Sequence, residues 1–466
     1  MKLLPQSLSF VLCIILAWSC SKEKFTSNAD ALLIPGVDTL HFDTVFTTTG
    51  SVSQIVKIFN NNDAAINISS IELAGGANSF YKINVDGIPG PVVNNVNILA
   101  EDSLYVFVTV SIDPTADELP FIVRDSIKIS YNGNSFWVQL EAYGQNAHFF
   151  RNKIVSSSET WNNDLPYVIL ERLTVEPGAL LTINKGSRIY VHADAPILVQ
   201  GSLHVLGEKQ ENERVVFTGD RLDEPYKNFP ASYPGIIFMQ GSENNILRYT
   251  TIKNAYQAIV CVDPSPGIKL KLQQTIIDNA YDAGILAINT SIEAENLLVR
   301  NCGKNIVIVK GGNYVFEHST IAAYSTGFIQ HREPAVAISN YLLQDNILSA
   351  ADLNASFNNC IIWGESGGFV DEEVITSKQD LAFFNLSFNN ILWRVENNPA
   401  NSVVTGFDLK NTDPEFDTIK PAQNLFNFRL KSFSPAIDKA ISALTLDLDG
   451  NPRPVNLPDL GAYEAQ

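Results

Sequence analysis

Between residues 40 and 147, apolar and polar positions alternate in short runs. Gln54-Ile-Val-Lys-Ile-Phe59, Ala65-Ile-Asn-Ile-Ser-Ser-Ile-Glu-Leu73, Ser103-Leu-Tyr-Val-Phe-Val-Thr-Val110 and Ser126-Ile-Lys-Ile-Ser130 are the clearest. A period of two puts every second side chain on one face, so each run reads as a half-buried strand. Asn60-Asn-Asn-Asp63, Gly75-Gly76 and Asn132-Gly133 separate the runs with residues suited to tight turns. About seven such strands in about a hundred residues predict an antiparallel β-sandwich.

From residue 148 the alternation gives way to short apolar strands punctuated by Asn and Gly, and the segments align with one another. Ile252-Lys-Asn-Ala255 matches Ile277-Asp-Asn-Ala280, Val299-Arg-Asn-Cys302 and Ile321-Ala-Ala-Tyr324, at offsets of 25, 22 and 22 residues. Phe357-Asn-Asn-Cys-Ile-Ile-Trp363 matches Phe388-Asn-Asn-Ile-Leu-Trp393, 31 residues on. Repeats of this length indicate a solenoid, and four- to six-residue strands without helical periodicity select a parallel β-helix over a leucine-rich repeat. At ~22 residues per coil, the segment predicts roughly a dozen coils and a rod of about 60 Å. Asn254, Asn279 and Asn301 are expected to stack at one corner, because Asn tolerates the left-handed conformation.

Both halves resemble known families. Asn60-Asn-Asn, Phe80, Asp113-Pro114 and Val138-x-Leu-x-Ala-x-Gly144 resemble the immunoglobulin-like domains of the abnormal-spindle/hydin class, which implies a spacer or binding module over residues 40–147. Leu173-Thr-Val-Glu-Pro-Gly178, Leu198-Val-Gln-Gly-Ser-Leu-His-Val-Leu-Gly207 and Val215-Val-Phe-Thr-Gly219 are similar to the opening coils of right-handed parallel β-helices of the pectate-lyase-like superfold. Ser434-Pro-Ala-Ile-Asp438, Asp447-Leu-Asp-Gly-Asn-Pro-Arg-Pro454 and Pro458-Asp-Leu-Gly-Ala-Tyr-Glu464 resemble the end of choice-of-anchor Q domain proteins. The fold class expected is therefore all-β: an immunoglobulin-like β-sandwich, then a right-handed parallel β-helix with a C-terminal cap over residues 148–466. These families hold enzymes, adhesins and proteins without known activity, so the resemblance implies a fold more than a reaction.

The N-terminus reads as an address. Met1-Lys2 precedes an apolar run of 11 residues, Leu8 to Trp18, too short to span a bilayer as a helix and fitting a signal peptide over residues 1–19. Leu16-Ala-Trp-Ser-Cys20 resembles a bacterial lipobox, which implies lipidation at Cys20, a tether over residues 20–39 and membrane attachment in the cell envelope, with the outer membrane expected. The 32 basic and 50 acidic residues give a net charge of −18, which argues against nucleic acid and against a polyanionic sugar unless a cation bridges the two.

Candidate chemistry is sparse. No His-x-x-x-His or close carboxylate pair recurs among the coils, so no catalytic residue, metal ligand or cofactor is assigned, and the substrate-binding residues remain unknown. Asp447-Leu-Asp-Gly-Asn451 lacks the distal carboxylate of a calcium loop and reads as a turn. Cys261, Cys302 and Cys360 sit in apolar strands and read as buried hydrophobes. Asp278, Asp282, Glu293, Glu295 and Glu317 read as solvent-facing. Arg300 and Lys310 are close enough in sequence to share a groove, although a solvated face is the preferred reading. Tyr256, Tyr281 and Tyr324 follow the aligned asparagine position or replace its neighbours and could form a partial surface row for sugar stacking, although internal stacking between coils is the preferred reading. The expected function is a surface lipoprotein presenting a rod to a polysaccharide, host glycan or partner. A groove-acting lyase or hydrolase and a purely structural adhesin or spacer are the alternatives.

Overall fold

The computed structural model describes residues 23–46, 53–111, 121–222, 226–365, 368–441, 444–454 and 457–465. The signal peptide and Cys20 lie outside the described residues. The chain is almost wholly β and divides into two compact units, Met1–Asn146 and Ala147–Gln466.

The first unit is a sandwich of two five-stranded sheets. One contains Gln54–Asn60, Asp102–Val110 and Tyr81–Val85; the other contains Thr39–Phe46, Asn134–Gln145, Phe121–Tyr131, Ile66–Leu73 and Val92–Ile98. Alternation fills the space between them with Val56, Ile58, Val106 and Val108 from one sheet and Ile68, Ile71, Ile127 and Val138 from the other. The expected tether is shorter than residues 20–39, because the chain joins the sandwich by Lys24. The Thr26 N–H donates to the Ala65 carbonyl at 2.9 Å, and Leu33 is buried in the core. An apolar side chain and a free sheet edge give these residues a bound position.

The second unit is a right-handed parallel β-helix of three sheets. Sheet A contains Tyr167–Ile169, Arg188–Val191, Val215–Gly219, Thr250–Lys253, Ile276–Asp278, Leu298–Arg300 and Thr320–Ala323, followed by the later parts of Leu353–Gly364, Phe384–Trp393 and Ser402–Lys410. Sheet B includes Ile197–Val199, Ile236–Phe238, Gln257–Val262 and Val336–Ser339; sheet C includes Ser202–Leu206, Asn245–Arg248 and Leu270–Gln273. The long strands Ala283–Glu295 and Lys304–Glu317 bend from sheet B into sheet C.

The register follows the sequence repeat. Ile252 pairs with Ile277, Ile277 with Val299, and Val299 with Ile321, so these side chains form one inward column. Phe316, Phe357 and Phe388 form another, with ring centroids 4.7 and 5.3 Å apart. The coils are fewer than the expected dozen, because insertions consume residues. Phe217 pairs with Ile252, 35 residues on, and Ile321 with Ile362, 41 residues on. His148–Phe150 pairs ahead of Tyr167–Ile169, so sheet A has ten strand-to-strand steps, a rod of about 48 Å.

The C-terminal segment is a lateral strap where an end cap was expected. From Ile276 onward, alternate outward positions of sheet A are apolar, and a bare sheet would leave them in water. Leu298, Ala322, Ile361 and Trp363 instead pack against Phe416, Phe428, Leu448, Leu460 and Tyr463. The strap runs back along the coils. Asn359 bonds the Ile441 backbone, Asn296 Nδ2 donates to the Leu446 carbonyl at 2.9 Å, and Arg214 Nη1 to the Leu448 carbonyl at 3.5 Å. Asp447 accepts from the Asp449, Asn451 and Glu464 backbone N–H groups, so this stretch is the turn read from sequence. Arg453 is buried in ion-pair contact with Glu464 and donates to Asn296 Oδ1 at 2.8 Å. Burial pushes the Glu464 carboxyl up to about 7, with the Arg453 charge pulling the other way.

Phe357→Ala should destabilise the solenoid by about 3–5 kcal/mol, since it opens a cavity in the middle of the ring column; the shift of a urea unfolding midpoint measures this. The strap should weaken as pH rises. The native state retains on Glu464 a proton that the unfolded chain releases near 4.5, so stability present below that pH is lost as pH approaches about 7. Hydrogen exchange over residues 446–465, corrected for intrinsic rates, should show less protection at pH 8 than at pH 5, and Glu464→Gln should flatten that difference.

Candidate functional site

The uncovered part of sheet A forms the floor of a groove. Because Phe217, Ile252, Ile277 and Val299 point inward, the residues after them point out. Register places Tyr190, Thr218, Lys253, Asp278 and Arg300 in one row along the rod. The next residues, Asn254, Asn279 and Asn301, turn the corner from sheet A to sheet B with φ of 66°, 56° and 52°. Asn279 Nδ2 donates to Asn254 Oδ1 at 2.9 Å, the corner ladder expected from sequence. The same amides hold a wall in place, since Asn254 Nδ2 donates to the Lys227 carbonyl at 2.9 Å and Asn279 Nδ2 to the Asn228 carbonyl at 3.0 Å.

That wall comes from residues 226–235, in the insertion that follows Gly219. Residues 324–335 extend it, and Phe229 and Phe328 join the two pieces with ring centroids 4.9 Å apart. The second piece is pinned from below. His331 Nε2 lies 3.1 Å from Glu373 Oε2, Glu373 also accepts the Ala335 N–H, and Arg394 Nη1 lies 3.4 Å from its other oxygen. The opposite wall is the strap hairpin of Phe416–Lys420 and Leu425–Leu430. Three adjoining basins share Asn228, and the strap hairpin borders the second and third of them. One of about 340 Å³ is lined by Arg188, Tyr190, Thr218, Lys227 and Lys253. One of about 290 Å³ is lined by Lys253, Asp278, Asn279, Arg300, Asn301 and Phe426. One of about 450 Å³ lies by Thr326, Phe328 and Pro421.

The middle basin is polar and incompletely satisfied. Arg300 Nη2 donates to Asp278 Oδ2 at 2.7 Å and Nη1 to the Phe426 carbonyl at 3.2 Å. Burial works against the Arg300 charge, but the Asp278 carboxylate outweighs it, so the guanidinium is held above its usual range. Arg300 Nε and the Oδ1 atoms of Asn279 and Asn301 are buried without a hydrogen-bond partner among the described residues. Unmet donors and acceptors of this kind cost about 1–3 kcal/mol each. A ligand offering both hydroxyl donors and acceptors relieves that cost. Among the described lining residues Asp278 is the one carboxylate, and the Arg300 bridge engages it.

The candidates read from sequence are divided between groove and core. Arg300 lies in the groove; Lys310 does not, because Lys304–Glu317 bends there and puts it at the corner between sheets B and C, with φ of 61°. Asp278 is part of the groove floor where a solvent coat was expected. Asp282 and Glu293 form ion pairs with Lys304 and Lys271. Tyr256 and Tyr281 are exposed and stack at 5.8 Å, but Tyr324 does not continue the row: it is buried beside Phe426 and Phe428. Trp363, Trp393 and Tyr233 are also buried. The three described cysteines are buried as expected, and burial pushes the Cys302 thiol up to about 12. Lys253 was overlooked, although it occupies the aligned position of Asp278 and Arg300.

No family model matches the chain, and no curated protein matches it. Among solved structures, similar chains include a family 123 glycoside hydrolase from Clostridium perfringens, studied for glycolipid glycan hydrolysis, with 12% identity, a TM-score of 0.19 and 26% of each chain covered. The periplasmic chaperone SfaE matches at 15% identity and a TM-score of 0.17, over 24% of this chain and 56% of that one. The alkylpurine DNA glycosylase AlkC of Pseudomonas fluorescens, solved bound to DNA with an abasic site analog, matches at 9% identity and a TM-score of 0.16, over 28% and 33% of the two chains. The matched region thus spans under two thirds of each of these proteins, and overlaps of this size define neither a family nor a function.

Proposed function

We propose that this chain is a lipid-anchored protein of the bacterial cell envelope, with the outer membrane as its site, that holds a polysaccharide or host glycan in the groove along sheet A. The observation that carries the binding reading is the middle basin, whose lining residues Arg300, Asn279 and Asn301 keep polar atoms (Nε, Oδ1 and Oδ1) without a hydrogen-bond partner among the described residues. A sugar ring presents hydroxyls that both donate and accept, which matches this mixture better than an apolar ligand does. The walls bring Phe328 and Phe426, whose rings suit the apolar faces of sugars. Among the described lining residues the single carboxylate is already bridged to Arg300, which favours holding a glycan over cleaving one, since hydrolysis by the usual route needs two. The anchor rests on the lipobox-like run ending at Cys20.

Purified residues 21–466 should bind members of a glycan array. Asn301→Gly, which keeps the left-handed corner accessible, and Arg300→Gln should each weaken that binding roughly tenfold at unchanged fold, the equivalent of about 1.4 kcal/mol. An array without hits, or hits indifferent to both substitutions, would sink the groove reading. In cells, Cys20→Ala should move the protein from the detergent-extracted membrane fraction to a soluble or unprocessed form; unchanged partition with normal processing would refute the anchor.

A further inference from the structure

The two outward faces of the N-terminal sandwich are unlike each other. The sheet that carries Ile66–Leu73 and Phe121–Tyr131 turns a polar face to water. Arg124 Nε donates to Glu141 Oε2 at 2.9 Å, Lys128 Nζ lies 3.8 Å from Glu72, and Asn67 Nδ2 donates to Asn97 Oδ1 at 2.8 Å. The other sheet turns an apolar face outward. Ile55 stands opposite Phe107, Lys57 opposite Tyr105, and Ile34 of the edge strand Ile34–Pro35 opposite Phe59. Residues directly opposed in antiparallel strands share a face. Ile34, Ile55, Tyr105 and Phe107 are between 41% and 48% exposed. Lys57 lays its ammonium 4.8 Å from the Phe59 ring centre and 5.1 Å from that of Tyr105. Antiparallel sheets ordinarily face water with polar residues, so a band of rings and branched side chains about 13 Å long is unfavourable there unless something covers it.

The N-terminal segment joins the sandwich at one end of this band. The Ala65 N–H donates to the Lys24 carbonyl at 2.7 Å, and Asn62 Nδ2 donates to the Leu32 carbonyl at 2.9 Å. Residues 61–65 continue from the strand that ends in Phe59 and Asn60, so this junction lies at the Ile34–Phe59 end of the band. Phe25 and Leu32, both exposed, carry the apolar surface onto the segment itself. Asp63 and Glu101 stand in loops at that end, and alternation turns Asp102 off the face. Lys24 follows Cys20 by four residues, which reach at most about 14 Å fully extended. Resting on the lipid-anchored reading above, we infer that this face lies on the bilayer that holds the anchor. A lipid on Cys20 confines Lys24 to the neighbourhood of the headgroups, and the apolar side of the sandwich is within the same reach. Lying on that side moves Ile34, Ile55 and the rings of Phe59, Tyr105 and Phe107 out of water into the interfacial layer. The Tyr105 hydroxyl and the Lys57 ammonium stay at headgroup level, as amphipathic side chains do at such a boundary. A second copy of the chain would also cover the face, but the short link holds the membrane at an effective concentration that a dissolved partner does not reach.

The test uses the lipidated protein reconstituted in vesicles of phosphatidylethanolamine and phosphatidylglycerol. A nitroxide is attached through Ser103→Cys, opposite Phe59 on the apolar face, or through Ser69→Cys in the other sheet. Cys261, Cys302 and Cys360 are buried, so the label goes to the introduced thiol. Between the vesicle-free chain 21–466 and the vesicles, collisions with an aqueous nickel chelate should fall roughly threefold at position 103 and stay the same at position 69. Ile55→Thr combined with Phe107→Thr should restore them at unchanged circular dichroism. Vesicle-bound protein whose two labels stay equally aqueous would overturn the face assignment and leave the anchor intact. Cys20 recovered without lipid, and no protein on the vesicles, would overturn both. Protection of position 103 already present in the vesicle-free chain, and growing with its concentration, would reassign the face to a second copy.

Discussion

Every coil of the solenoid has to turn three corners, and tight corners between strands are made by a residue in the left-handed region. Asn254, Asn279 and Asn301 do so between sheets A and B; Asp263, Asn289 and Lys310 between B and C; Gln274, Asn296, His318 and Asn359 between C and A. Ordinary L-residues resist that conformation by roughly 1–2 kcal/mol, and Asn or Asp resist it less because the short side chain bonds locally. Once the corners are fixed, the inward column of Ile252, Ile277, Val299 and Ile321 falls into register. The outward row of Lys253, Asp278 and Arg300 then has no freedom to be elsewhere. The groove is thus a by-product of corner geometry, and the asparagines that make the corner also supply its amides.

The strap decides how much of sheet A is left to form that groove. Its apolar side chains take the row of Leu298, Ile361 and their neighbours, and its hairpin stops beside Arg300, where the Phe426 carbonyl accepts from the guanidinium and the Phe428 ring lies against it. Arg300 therefore belongs to two structures at once: the seat of the strap and the floor of the middle basin. A residue in that position transmits any shift of the hairpin to the polar atoms beside it.

Much of this was legible in the residues. The alignment of Ile252-Lys-Asn with Ile277-Asp-Asn and Val299-Arg-Asn is the structural register itself, and the alternation between residues 40 and 147 is the sandwich. What escaped was anything set by contacts remote in sequence. Tyr324 falls in the same aligned corner as the exposed Tyr256 and Tyr281, and local sequence does not tell them apart; Phe426 and Phe428, about a hundred residues on, bury it. Lys310 is ten residues from Arg300, but a bend inside one continuous strand carries it to another corner. The strap segment was expected as a C-terminal cap from its resemblance to a family's closing motifs, and only the apolar outer row of sheet A reveals where it goes. Sequence similarity between coils reports local turns and inward packing, and it is silent about which outer faces are covered.

A stack of coils in which each touches only its neighbours unfolds piecemeal, since its stability is a sum of local terms. The strap breaks that rule. Arg214 reaches Leu448 across 234 positions, Asn296 meets Arg453 across 157, and Thr320 meets Ala462 across 142. These closures tie the middle coils to the last residues of the chain. During synthesis the flank of sheet A stays bare until the strap has been made, so the coils can form early while their outer face is covered only later. An otherwise one-dimensional array thereby acquires the all-or-none behaviour of a globule.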